Sequence, residues 1–525
     1  MKTLDELEEA LVKEAVEKID ATNGAKKTND PNIKNILSIV EQFIKKKELI
    51  CYGGTAINNI LPEEAQFYDK KKEIPDYDFY SPNALDDAKE LSDELYEEGY
   101  SDVEAKSGTH YGTYKVFVNF VAVADVTQME VNLFQNIKSN TIKIDGMLYA
   151  PPNLLRMAMY LELSRPAGDV SRWEKVSKRL ILLNKHYPLK SDKCFSNDTK
   201  MMPFQTPNNK KSPTRDQLDG TKNDVETKEV QLFRIIRNTF IEANLVFFGG
   251  YAISHYSRHL PYSDRDIFAQ IPHFDVLSLD PESVSSKLKQ RLMDNNFENI
   301  EITKHSGSGE IVPEHYEITV DGISVAFLYK PSACHSYNII TVKTKKIKIA
   351  SIDTMLSFYL AMIYTNKPYY DVKRILCMCD YLLKIQLHNR LNQRGLLRRF
   401  GALCYGKQET LQDIKALKSE KFRQLKKSDS EYEKWFLKYS PMEHFEKRYN
   451  IKKKHMMTIK RSPNATISKS SAKNSAKSLS KSSAKNSAKS LSKSLSKSPA
   501  KSSVKKSVSK KKNNYFFNPF KMINL

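Results

Sequence analysis

The sequence predicts a mixed α/β (α+β) chain in which one fold is written twice, the first copy active and the second degenerate, followed by helical segments and a disordered basic tail. Three observations carry this. A short apolar strand breaks at Gly53-Gly54 and runs into a helix-compatible stretch. Two aspartates, Asp76 and Asp78, alternate along a strand that follows. The strand-Gly-Gly-helix pattern then returns 196 positions later, at Gly249-Gly250.

The first copy places its polar groups in a definite way. In Ile74-Pro75-Asp76-Tyr77-Asp78-Phe79-Tyr80 an extended backbone turns Asp76 and Asp78 to one side and Tyr77 and Phe79 to the other. Two carboxylates on one face, backed by aromatics, suit a divalent metal. Thr113 to Ala124 reads as one largely buried strand, and Asp125 at its end offers a third acid. Glu130 is the rival for that place. Upstream, Glu48 to Tyr52 reads as a strand ending at Gly53-Gly54-Thr55. Paired glycines let backbone approach a ligand, and the helix that follows offers unpaired N–H groups and a positive dipole end to phosphate.

Together, strand-Gly-Gly-helix, the two alternating aspartates and a third acid resemble the polymerase-beta-type nucleotidyltransferase fold. Its chemistry uses two metal ions roughly 3.5–4 Å apart, one activating a hydroxyl and one steadying the leaving pyrophosphate. A single Asp cannot clamp both, which explains the set of acids.

Other elements follow in order. Met1 to Asp20 is an acidic amphipathic helix candidate (Leu4, Leu7, Leu11, Ala15, Ile19), unlike a signal peptide or an Arg-rich transit sequence. Helices are expected over Ile33–Lys46 and Leu85–Tyr96, and strands over Ser101–Ala105, Gly112–Ala124 and Gln128–Phe134. A helical block covers Asn153–Leu163 and Asp169–Asn184, where Arg172, Lys175 and Arg179 share a face fit for a triphosphate or an RNA backbone. Tyr187 to Thr227, rich in Lys, Asn, Ser and Pro, is the internal linker. The expected divisions are an N-terminal helix (1–30), a catalytic domain (31–187), the linker (188–227), a degenerate copy (228–385), a basic helical region (386–460) and the tail (461–525).

In the second copy, Leu245 to Ile253 matches Leu49 to Ile57, and Pro368, Asp371, Val372 and Arg374 match Pro166, Asp169, Val170 and Arg172. Two alignments compete for the paired aspartates. Ile271-Pro272-His273-Phe274-Asp275 keeps the spacing of Ile74 to Asp78, whereas Asp264-Arg265-Asp266 keeps both acids. The second is preferred, because the extra residues it assigns to the first copy, around Glu63 to Glu73, are polar and loop-like. In either case the later strand, Ile323 to Tyr329, carries no acid.

The net charge of +22 is concentrated at one end: from Arg461 onward there are sixteen Lys or Arg and no Asp or Glu, which leaves +6 for the rest. In that tail the stretch Lys469 to Ser480 recurs unchanged from Lys481 to Ser492. With hardly any large apolar residues it cannot offset its ordering entropy, and its charge suits a salt-sensitive tether to nucleic acid. Basic residues from Arg394 to Lys427, interleaved with Phe400, Tyr405, Phe422 and Tyr432, suit a single-stranded RNA track. The six cysteines show no metal-ligand spacing and are expected as free thiols. No apolar run reaches the roughly 20 residues that cross a bilayer, so no membrane partner is expected.

The active-copy motifs (Gly-Gly-Thr at 53–55, the 74–79 strand and Val123-Ala124-Asp125-Val126-Thr127), followed by a copy with Gly-Gly-Tyr at 249–251, resemble the catalytic subunit of poxvirus-type poly(A) polymerases in the form carried by giant DNA viruses. The resemblance implies ATP-dependent, template-independent addition of AMP to mRNA 3′ ends with two Mg2+ or Mn2+ ions. It implies Asp76, Asp78 and Asp125 as catalytic metal ligands, and Gly53, Gly54, Thr55, Arg172 and Lys175 on the nucleotide side. It further implies an RNA 3′ end and ATP as partners, a homodimer or a processivity subunit, and a cytoplasmic setting in the viral factory. A uridylyl- or CCA-adding enzyme, or a non-catalytic RNA-binding scaffold, remains open as the alternative.

Overall fold

A computed structural model describes residues 3–69, 74–189, 228–260 and 273–445. The first half begins with α1 (Leu4–Asn29) and α2 (Pro31–Lys46), and α2 starts at an Asp30 cap followed by Pro31. Asp30 accepts from the Asn32 N–H, and proline costs nothing at a helix start because its missing donor has no partner there. Ile36, Val40, Phe43 and Ile44 form the buried stripe of α2. By contrast α1 keeps Leu4, Leu7, Leu11 and Ile19 exposed.

The elements of the first sheet then follow: β1 (Ile50–Tyr52), α3 (Gly53–Ile60), β2 (Tyr77–Ser81), α4 (Ala84–Glu97), β3 (Val103–Ser107), β4 (Thr113–Val118), β5 (Val121–Gln128), α5 (Val131–Lys138), β6 (Ile142–Ile144), β7 (Met147–Tyr149), α6 (Pro152–Leu163) and α7 (Trp173–His186). The second half runs α8 (Lys228–Glu242), β8 (Val246–Phe248), α9 (Gly249–Tyr256), β9 (Phe274–Leu277), α10 (Pro281–Met293), β10 (Ile300–His305), β11 (His315–Val320), β12 (Ile323–Tyr329), β13 (His335–Val342), β14 (Lys345–Ala350), α11 (Ile352–Met362) and α12 (Val372–His388). The chain then adds β15 (Cys404–Tyr405), α13 (Leu411–Gln424), α14 (Ser430–Phe436) and β16 (Lys438–Tyr439).

These strands make two eight-stranded sheets, ordered β16-β3-β4-β5-β2-β1-β7-β6 and β10-β11-β12-β9-β8-β14-β13-β15. In the first, β2 lies parallel to β5 and antiparallel to β1, and β1 lies parallel to β7. In the second, β9 lies parallel to β12 and antiparallel to β8, and β8 lies parallel to β14.

The halves share one apolar core. Helices α6 and α11 are buried on every side over most of their length, which is how a helix between two layers must look. Polar groups bind the halves as well: the Ser336 N–H donates to Ser164 O at 2.7 Å, and Asn136 Nδ2 donates to Tyr364 O at 3.0 Å. The β10–β11 loop reaches across, with Gly309 against Leu133 of α5.

Several expectations from the sequence give way. Thr113 to Ala124 is not one strand but a hairpin turning at Asn119 and Phe120, both with positive φ. That backbone matches the twist of paired strands, and Phe120 sits in solvent at the turn, so alternation alone misled. Met129 to Phe134 is not a strand: Glu130 caps α5. Asp169 to Arg172 is a cap and a 3-10 turn ahead of α7, so Arg172 is not on that helix. The segment expected as purely helical also yields β15 and β16, which extend the two sheets. Cys334 and Cys404 form a disulfide, and Cys377 is disulfide-bonded too, so the cysteines are not all free thiols. Cys51 and Cys379 are buried free thiols. The linker from 190 to 227, Asp264, Asp266 and the repetitive tail lie outside the described residues.

Candidate active site

Strand β1 ends at Tyr52, and the chain turns at Gly53 with φ +77°, a conformation that glycine adopts without steric cost. The turn is needed because the Asp78 carboxylate lies against it. A Cβ on Gly53 would stand 2.6 Å from Asp78 Oδ2. One residue on, a Cβ on Gly54 would meet Tyr68 Oη at 2.4 Å and the Arg179 guanidinium at 3.0 Å. The first turn of α3 is thus open backbone, faced by a carboxylate on one side and a guanidinium on the other.

The acids are arranged by sheet register. Asp78 pairs with Tyr52 on β1 and with Asp125 on β5, so the two aspartates stand side by side on adjacent strands and project to the same face. Asp76, two residues earlier, lies at the approach to β2 on that side. Its backbone carbonyl accepts the Thr55 hydroxyl at 2.7 Å. Thr55 therefore ties the acidic strand to the glycine turn.

Asp125 is 2% exposed and held by Lys115 of β4, whose Nζ lies 2.7 Å from Oδ1 and 2.5 Å from Oδ2. Lys115 is its antiparallel register partner. Among the described residues no three His, Cys, Asp or Glu side chains are gathered as a metal cage. The donor set still fits a divalent ion in kind: hard carboxylate oxygens from neighbouring strands, with Lys115 supplying the positive charge beside one of them. Burial and the nearby Asp78 and Asp76 push the Cys51 thiol well up, and burial with Asp78 does the same for the Tyr52 phenol.

Glu130 has another task. Its carboxylate accepts from the N–H groups of Asn132 at 3.0 Å and Leu133 at 2.9 Å, at the start of α5. The geometry brings Asp125, not Glu130, beside Asp78.

Of the residues expected to face a nucleotide, Arg172 is tied to Glu162 (Nε to Oε1, 2.8 Å) and Lys175 is exposed on α7. Arg179, which the sequence placed on the same face as these two, is the one at the glycine turn. Its guanidinium lies over the rings of Phe67 and Tyr68, and Nη2 donates to Tyr68 Oη at 2.6 Å. Burial lowers its pKa, against the pull of Tyr68. Trp173 donates to Glu162 O and packs on Phe400. Tyr68 and Lys115 carried no signal in the sequence reading. Lys115 comes opposite Asp125 only through the hairpin turn at Asn119–Phe120 together with a β-bulge at Val116–Phe117, which shifts the pairing by one residue.

The acids, the glycine turn and the Asp125 strand all fall in one segment that has known counterparts. Residues 38–169 match the family model of the poly(A) polymerase catalytic subunit. The resemblance read from the motifs is matched over residues 38–169. A protein named as a poly(A) polymerase catalytic subunit from Acanthamoeba polyphaga mimivirus is 35% identical over 191 residues, covering 34% of this chain and 32% of that relative. A protein of the same name from African swine fever virus (isolate Pig/Kenya/KEN-50/1950) is 34% identical over 189 residues, covering 34% of this chain and 39% of the relative. The match therefore spans about a third of the length of these relatives. The Megavirus polyadenylate synthase crystal structure shares the fold far beyond residues 38–169. It superposes with a TM-score of 0.68 at 22% identity, over 88% of this chain and 90% of that one.

In the second sheet, Asp275 stands to β8 and β12 as Asp78 stands to β1 and β5, pairing with Phe248 and Phe327. Gly249, with φ +75°, is packed against Asp275 as Gly53 is against Asp78. Asp275, from the alignment that keeps the spacing, thus has the register position of Asp78, whereas the preferred pair, Asp264 and Asp266, lies outside the described residues. His273 falls where Asp76 does in the first sheet, and Phe327 where Asp125 does.

Proposed function

We propose that this chain is a template-independent poly(A) polymerase that transfers AMP from ATP to an RNA 3′ end, with the first half as catalyst. The observation that carries the reading is the register of Asp78 and Asp125 beside the Gly53–Gly54 turn, inside the segment matched by the family model. The nucleotide's phosphates would lie over the first turn of α3, with Arg179 neutralising them from the Tyr68 side. Asp76, Asp78 and Asp125 are the residues that would hold Mg2+ or Mn2+, which lower the pKa of an attacking hydroxyl and offset charge on the leaving pyrophosphate. Thr55 keeps Asp76 in register with the turn. Lys115 holds the Asp125 carboxylate in place within the sheet. The 3′ hydroxyl attacks the α-phosphorus in line, the bond to the β-phosphate oxygen breaks, and pyrophosphate departs.

The second sheet reads best as a degenerate duplicate of the first, supported by the matching strand order and by Gly249 against Asp275. Loss of the acids at the positions of His273 and Phe327 argues against catalysis there. Part of the basic C-terminal stretch is structural: Arg399 pairs with the buried Asp353, and Lys418 donates to Gly108 O. The RNA track is therefore assigned to the residues left at the surface there, Arg394, Arg398, Lys415, Arg423, Lys426 and Lys427.

Incubation of the purified chain with 5′-labelled RNA and each NTP in turn tests the reading. Extension with ATP alone supports it, extension with UTP or CTP moves it to another terminal transferase, and no extension favours a binding scaffold.

A further inference from the structure

A cavity of about 470 Å³ opens on the second sheet at the position that the acids occupy on the first. It is lined by His273, Asp275, Tyr359, Tyr369, Tyr370 and Arg374, among others. Its volume lies in the range of small-molecule sites, and its walls combine aromatic rings with a few polar groups, as such sites do. His273 Nε2 lies 3.1 Å from Asp275 Oδ2, and Arg374 Nη2 lies 3.5 Å from His273 Nδ1. An imidazole and a guanidinium thus lie at the Asp275 carboxylate, while Asp371, the other carboxylate of the lining, is engaged by the N–H groups of Lys373 and Arg374 at the start of α12. This suits an anion where the first sheet suits a cation.

A second feature points to a missing ligand. Tyr359 is 3% exposed and lines this cavity, yet its hydroxyl finds no hydrogen-bond partner among the described residues. A buried phenol left in that state costs free energy that a bound polar group would recover. Tyr369 and Tyr370 stand at the same wall, their ring centroids 4.6 Å apart, and Phe327 backs Tyr369 at 5.7 Å. Flat aromatic surface beside a guanidinium is the chemistry that takes a base by stacking and its phosphate by charge.

We propose that this cavity binds one nucleotide unit without a divalent ion, the base against Tyr369 and Tyr370 and the phosphate at Arg374. The unit comes either from a free nucleotide or from the RNA chain. The site is a binding site in its own right and does not depend on the first half being catalytic.

Equilibrium binding of labelled AMP and of hexaadenylate to the full chain in EDTA tests it, since transfer needing divalent ions is silent there. Saturable binding is expected, weakened at least tenfold by Arg374→Gln and unaffected by the control Lys18→Gln, at an exposed side chain of α1. Comparable loss for AMP and the hexamer identifies a free-nucleotide site, whereas a much tighter hexamer with the same loss identifies a residue of the RNA. Photolabelling of the unaltered protein with 8-azido-AMP in EDTA covers the case in which the variant fails to fold, with the adduct expected on the peptide carrying Tyr369 and Tyr370. No binding in EDTA, binding indifferent to Arg374→Gln, or label confined to other peptides overturns the proposal.

Discussion

Replacing Glu130 and Asp125 in turn separates a helix cap from a catalytic acid. Glu130→Ala removes two acceptors from the N–H groups of Asn132 and Leu133 and a negative charge from the positive end of α5. Loss of such a cap costs ~1 kcal/mol, and loss of the charge at the dipole roughly 0.5 kcal/mol more. At that size, amide exchange within α5 should speed up about tenfold, while the extension rate stays within a few-fold of the unaltered protein. Asp125→Asn keeps the shape of the side chain but removes the carboxylate beside Asp78, and leaves Lys115 without its ion partner. Single-turnover extension should then fall by at least about 10³-fold, equivalent to roughly 4 kcal/mol of barrier, with α5 exchange unchanged. If Glu130→Ala abolished extension without speeding exchange, or Asp125→Asn extended normally, the assignment drawn from the register would be refuted.

Other consequences follow from the same geometry. Gly53→Ala forces a Cβ into the Asp78 carboxylate at φ +77°, so extension should drop over about 100-fold with the far-ultraviolet dichroism unchanged; the left-handed backbone alone costs about 1–2 kcal/mol. Arg179→Gln should raise KM for ATP at least about tenfold, whereas Arg172→Gln should lower thermal stability and leave KM near its original value, because Arg172 is engaged with the buried Glu162. Burial raises the Glu310 carboxyl to about 8, above its value in the unfolded chain. The native state therefore keeps a proton that the unfolded state has lost between about pH 4.5 and 8, and stability falls as pH rises through that window. Thermal melts across the window should show this decline, and Glu310→Gln should flatten it.

Much of the site was legible because it rests on short-range rules. A strand broken by Gly53-Gly54 and an alternation that puts Asp76 and Asp78 on one face need no tertiary knowledge. The matching pattern at Gly249-Gly250 was visible for the same reason. What the sequence hid depends on partners distant along the chain or on a single turn. The hairpin at Asn119–Phe120 was masked because Phe120, an apolar residue, stands at an exposed turn and continues the alternation of its neighbours. That turn and the β-bulge at Val116–Phe117 together set Lys115 opposite Asp125. Arg172 and Arg179 share a helical spacing, yet the helix begins after Arg172, and only Arg179 reaches the glycine turn. The preference for Asp264 and Asp266 followed residue identity, whereas the strand register gives the place of Asp78 to Asp275. The Cys334–Cys404 bridge spans 70 residues, and no local spacing announces it.

Anomalous diffraction at the manganese edge, from crystals holding Mn2+ and a non-hydrolysable ATP analogue, tests the central claim most directly. The account predicts metal peaks within about 2.2 Å of carboxylate oxygens of both Asp78 and Asp125, with the triphosphate over the first turn of α3. Manganese bound elsewhere, with neither of these two carboxylates as a ligand, would contradict it.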